Sequence, residues 1–167
     1  MTTLLLPLLS LVNFAASTPV LTERYYPQGT ITSPANGTAI APGAPFDFKY
    51  NARGDYCLSS YNFTVWLATE PPTGGIGPDT SFMTGHYFGR FSQESYPTNP
   101  WPVNPPPAQL VMPNFSISPG GFGTGKTASD VPMYLAVVEE YLECGATLGV
   151  SMGVTWNNVV YNATISS

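Results

Sequence analysis

Charge is scarce in this chain. Five Lys or Arg and ten Asp or Glu make up only 9% of its 167 residues, and the formal net charge is −5. So few cations cannot neutralise a phosphate backbone, which excludes a nucleic-acid partner, and the same shortage argues against attachment to an anionic membrane. Histidine occurs once, at His86. That denies the chain a two-histidine metal clamp, and no N-terminal histidine is available for a copper brace if the mature chain begins at Thr18. No G-x-S-x-G elbow accompanies His86, so a Ser-His-Asp site lacks its nucleophile signature and His86 reads as structural. Cys57 and Cys144 are the only cysteines, too few for a four-cysteine zinc site. The expectation is a protein without metal or cofactor.

Apolar material is plentiful, with 43% hydrophobic and 13% aromatic residues, so the chain folds compactly rather than remaining disordered. Leu4-Leu5-Leu6-Pro7-Leu8-Leu9-Ser10-Leu11-Val12 has the length of a signal-peptide apolar region and is too short to span a bilayer. Ala15 and Ser17 are small residues placed for cleavage after Ser17. These features predict a signal peptide over residues 1–17 and one domain over 18–167, its regular core beginning near residue 28. No apolar tail follows Asn162-Ala163-Thr164-Ile165-Ser166-Ser167, so no GPI signal or other membrane anchor is expected. The product is expected to be secreted, either extracellular or held non-covalently in a cell wall.

In an oxidising compartment two thiols most simply pair, which predicts a Cys57–Cys144 disulfide. Closing so long a loop adds somewhat over ~4 kcal/mol in the chain-entropy account. Four Asn-x-Ser/Thr sites, at Asn36, Asn62, Asn114 and Asn162, carry no blocking proline and suit a eukaryotic secreted glycoprotein. Their glycans need solvent, so strands carrying Asn62 or Asn162 should turn those side chains outward.

From Pro27 onward the periodicity is mostly two, in short β-rich runs separated by Gly, Pro and Asn. Pro45 to Tyr50 alternates aromatic and charged residues. Ser60 to Leu67 places Tyr61, Phe63, Val65 and Leu67 on one side, with Asn62, Thr64 and Trp66 on the other. Further strands are expected at 29–32, 82–91, 109–112, 133–139, 148–156 and 159–165. The predicted fold class is all-β, an Ig-like antiparallel β-sandwich of about seven to eight strands. Residues 70–107 form a long Pro- and aromatic-rich loop region around the central strand. Its Tyr87, Tyr96 and Trp101 combine a stacking face with a polar edge, and either cover an open face of the sandwich or contact carbohydrate; solvent exposure separates the two.

Three short patterns invite chemistry. Gly120 to Thr127 spells G-x-x-x-x-G-K-T, but Pro119 precedes it and Pro132 interrupts the sequel, so the strand and helix of a phosphate-binding loop are missing and an inter-strand connection is expected. Arg53-Gly54-Asp55 matches an adhesion tripeptide, yet Gly and Asp are ordinary turn residues. Glu139, Glu140 and Glu143 form the only acidic cluster; paired carboxylates serve glycoside hydrolysis, while the plainer expectation is solvated edge charges.

Ile31-Thr32-Ser33-Pro34-Ala35-Asn36-Gly37-Thr38-Ala39-Ile40-Ala41-Pro42-Gly43, followed by an amphipathic strand, resembles the opening of fungal secreted Ig-like domains of the Kre9/Knh1 cell-wall type. The resemblance covers about the first third of the mature chain. It implies a non-enzymatic extracellular sandwich associated with β-glucan or wall assembly, and carries over no catalytic residue. The leading expectation is a secreted non-enzymatic glycoprotein, a wall-associated or host-interface binding protein whose partner is a cell-wall polysaccharide or an extracellular protein. The alternative is an extracellular hydrolase using Glu139, Glu140 and Glu143.

Overall fold

The computed structural model describes residues 28–53, 60–73, 83–94, 99–115, 128–142 and 150–162. Within them lie nine strands and no helix: β1 (Thr30–Ser33), β2 (Thr38–Ile40), β3 (Pro45–Asp47), β4 (Lys49–Asn51), β5 (Ser60–Ala68), β6 (Gly85–Ser92), β7 (Gln109–Val111), β8 (Val131–Leu142) and β9 (Val150–Tyr161). The expected signal peptide, Cys57, Cys144, Tyr96, Glu143, the Gly120–Thr127 loop and the Gly54-Asp55 half of the tripeptide lie outside the described residues.

Five strands form one sheet in the order β2-β9-β8-β5-β6, and the remaining four form two small antiparallel sheets, β1-β4 and β3-β7. Period-two patterning explains the large sheet. Phe63, Val65 and Leu67 of β5, with Leu135 and Val137 of β8, are wholly buried on one face, each such side chain contributing about 1.5–3 kcal/mol. The small sheets supply the opposing apolar groups. Ile31, Phe46, Phe48, Tyr50 and Leu110 join the same buried cluster, and Phe48, at the break between β3 and β4, keeps the pairing going through its N–H to the Ala108 carbonyl at 2.9 Å.

Two expectations change. β2 pairs with β9 in parallel, so the large sheet is mixed rather than wholly antiparallel. The two strands expected over 148–156 and 159–165 are one continuous β9. Asn157 and Asn158 read as a turn signal, but their hydrogen bonds go to the first strands instead: Asn157 Nδ2 donates to the Ile31 and Pro34 carbonyls at 3.1 and 2.9 Å, and the Asn158 N–H donates to Asn36 Oδ1 at 2.8 Å. Tertiary pairing satisfies the amides that would otherwise favour a local turn.

Candidate functional site

The inner face of the five-stranded sheet is core; the outer face carries aromatics. Registers place Tyr87 of β6 opposite Trp66 of β5, Trp66 opposite Ala136 of β8, and Ala136 opposite Trp156 of β9. Directly paired residues of neighbouring strands share a face, so Tyr87, Trp66, Ala136 and Trp156 form one row across four strands, about 14 Å from end to end at the usual strand spacing. Ala136 is fully buried although its register puts it on the outer face between Trp66 and Trp156. Tyr134, two residues before Ala136 on β8, stands beside the row and is half-buried.

The row is held in place. Tyr87 and Trp66 pack with ring centroids 4.6 Å apart and planes inclined by 49°, and Trp66 Nε1 donates to Thr64 Oγ1 at 2.9 Å. A β-bulge between Val65 and Trp66 lets Tyr87 and Arg90 both turn outward although three residues apart; at Gly89 the chain takes φ +148°, a conformation other residues rarely adopt. Below the row the face becomes polar. Arg90 donates across β5 to Glu140 Oε2 at 2.7 Å, an exposed pair worth about 0–1 kcal/mol. These are the described charges on this face, and they cancel.

Tyr87, half exposed at 48%, is therefore one of the expected contact residues and belongs to the sheet rather than to a loop. Trp101 is 84% exposed, and Val103 beside it 97%. Their segment is docked along the free edge of β6: the Ser92 N–H donates to the Asn104 carbonyl at 2.7 Å, and Asn99 Nδ2 donates to the Gln93 carbonyl at 3.0 Å. Trp101 thus covers no face of the sheet. Trp66, Tyr134 and Trp156 were not singled out by composition, since only cross-strand register brings them together.

The chain matches no protein-family model, and comparison with characterised proteins likewise gives no match.

The acidic cluster divides. Glu139 and Glu140 take opposite faces of β8, a central strand, so neither is an edge charge. Glu139 is fully buried, a correction to the expectation of solvent contact. Its Oε2 accepts from the Gly29 N–H at 3.0 Å and from the Tyr141 hydroxyl. Burial, with the adjoining Glu139 carboxylate, pushes the Tyr50 and Tyr141 hydroxyls far above the ordinary tyrosine range. Gly29 is required by close approach, since a methyl group there would stand 2.5 Å from the Asn51 carbonyl. His86 packs edge-on against Phe88 at 4.9 Å, and burial lowers its pKa below the ordinary histidine value.

The four sequons differ in setting. Asn62 is exposed on the outer face of β5, as its register required, and Asn36 is exposed beside β2. Asn114 is half-buried. Asn162 departs from expectation: it follows β9 at φ 48°, half-buried, and its Nδ2 donates to the Ala128 carbonyl at 3.3 Å.

Proposed function

We propose that this chain is a secreted, non-enzymatic Ig-like β-sandwich that binds a neutral polysaccharide, in a cell wall or at a host interface, through the outer face of its large sheet. The observation that carries the proposal is the Tyr87–Trp66–Ala136–Trp156 row. Aromatic rings offer apolar faces to the C–H faces of sugars while their polar edges and the neighbouring Thr64 and Asn158 take hydroxyl groups. Self-cancelling charge at Arg90 and Glu140 suits an uncharged polymer better than an acidic one. The half-exposed Tyr87 and the exposed Trp101 extend the aromatic surface toward and beyond the β6 edge. A Cys57–Cys144 disulfide and N-glycans at exposed sequons belong to the same secretory reading.

Binding is favoured over hydrolysis by the arrangement of acids. Glu139 is sealed in the core and Glu140 is held by Arg90 on the opposite face, whereas glycoside hydrolysis needs two carboxyl groups flanking one bond. The test is a pull-down of the secreted protein on amorphous chitin, cellulose, β-glucan and mannan. Retention by at least one polymer, lost in a folded Tyr87→Ala/Trp156→Ala variant, is expected. Absence of retention on every polymer, with release of soluble sugar from any of them, would transfer the protein to the hydrolases.

A further inference from the structure

The shape of the aromatic row points to the physical form of the polymer. Adsorption on a crystalline polysaccharide requires rings lying in one plane, because the ligand surface is flat and cannot bend to meet them. The row here cannot be flat. Adjacent strands rotate by roughly 20–25°, so three strand steps from Tyr87 to Trp156 accumulate roughly 60–75°. The bulge between Val65 and Trp66 adds to the local twist. Already at the first step the Trp66 and Tyr87 planes are inclined by 49°.

Resting on the carbohydrate-binding reading, we propose that this face takes single, conformationally free chains of a neutral glycan, wrapped across four strands, and excludes the crystalline surfaces of the same polymer. A free chain can rotate about each glycosidic linkage and present successive ring faces to Tyr87, Trp66 and Trp156 in turn. A chain locked in a crystal meets one of these rings at a time. The span of about 14 Å makes the site one for an oligosaccharide stretch rather than a terminal sugar.

The test compares free and crystalline forms of one polymer, so that chemistry is held constant. Secreted full-length protein is run in affinity gels containing hydroxyethylcellulose, glycol chitin or soluble β-1,3-glucan, and is incubated with microcrystalline cellulose and crystalline chitin. Retardation by at least one soluble polymer, with adsorption to every crystalline form weaker by about tenfold or more, is the expected result. Tyr87→Ala and Trp156→Ala, at the two ends of the row, should each weaken retardation by up to about tenfold, the scale of one aromatic contact. Near-UV circular dichroism reports whether each variant is folded. Crystalline adsorption equal to or tighter than soluble binding overturns the inference while leaving a carbohydrate-binding function standing. Soluble binding untouched by both folded variants overturns it by moving the site off this face. Failure to bind any polymer overturns the function itself.

Discussion

Tyr141 donates its hydroxyl hydrogen to the carboxylate of Glu139, two residues earlier on β8 and on the same inward face of the sheet. Burying a carboxyl group is costly unless donors meet it. Here two donors far apart in sequence, the Gly29 N–H and the Tyr141 hydroxyl, meet on the same oxygen, Oε2, while Oε1 has no hydrogen-bond partner. The cluster therefore fastens the segment before β1 to the centre of the large sheet.

Glu139→Ala leaves the buried Tyr141 hydroxyl and the part-buried Gly29 N–H without their acceptor, and is expected to lower stability by about 2–5 kcal/mol. Glu139→Gln keeps the shape and one acceptor oxygen and should cost distinctly less. Urea unfolding of both variants checks the order; equal losses would mean that the carboxylate is replaceable by empty space.

Tyr50 and Tyr141 have folded-state pKa values raised by burial and by Glu139. Below about pH 10 these hydroxyls are protonated in both folded and unfolded chains and stability is independent of them. Above it the unfolded chain releases protons that the folded one retains, so stability falls as pH rises. Absorbance titration should show tyrosines that stay silent past the ordinary range and ionise only as the protein unfolds. Tyr141→Phe should make the alkaline loss less steep.

For His86 the sign is opposite. Its folded pKa is lowered by burial, so the unfolded chain takes up a proton more readily and stability declines as pH drops below about 6.5. Above that value the dependence vanishes. His86→Phe should flatten the part of the decline that begins below about pH 6.5, measured as the urea midpoint at each pH. An unchanged slope would assign the decline to carboxylates.

Trp101 stands 84% exposed on a segment fixed by backbone bonds rather than by its ring. Trp101→Ala should leave stability within about 0.5 kcal/mol while weakening polysaccharide retention. A large drop in melting temperature would show that the indole packs against the domain; undiminished retention would confine binding to the sheet face.

Much of the core was legible from alternation alone. Phe63, Val65 and Leu67 separate from Asn62, Thr64 and Trp66 in the sequence of β5 as they do in space, and β6 emerges inside the proline-rich region where its aromatic run suggested. Alternation also ran Met133, Leu135, Val137, Glu139, Tyr141 along one face of β8, but the charge on Glu139 argued for solvent, and nothing local announces a donor as remote as Gly29. β2, whose one buried side chain, Ile40, stands at its end, shows no alternation to be recognised. The binding row was half legible. That Trp66 points away from the core follows from β5, whereas its alignment with Tyr87 and Trp156 depends on register across strands distant in sequence, which no single stretch encodes.

The parallel pairing of β2 with β9 sets the order in which this molecule can be completed. Asn36 and Asn158, whose hydrogen bond adjoins that pairing, are 122 positions apart. At the usual pace of translation the ribosome needs roughly 6–24 s to cover that distance, and throughout that interval Thr38–Ile40 has emerged without its partner. The nascent chain can assemble β5, β6 and β8 as soon as each appears, but the β2 edge of the large sheet waits until β9 is made. A chain arrested before Val150 would thus present the open edge of β8 to whatever strand it met.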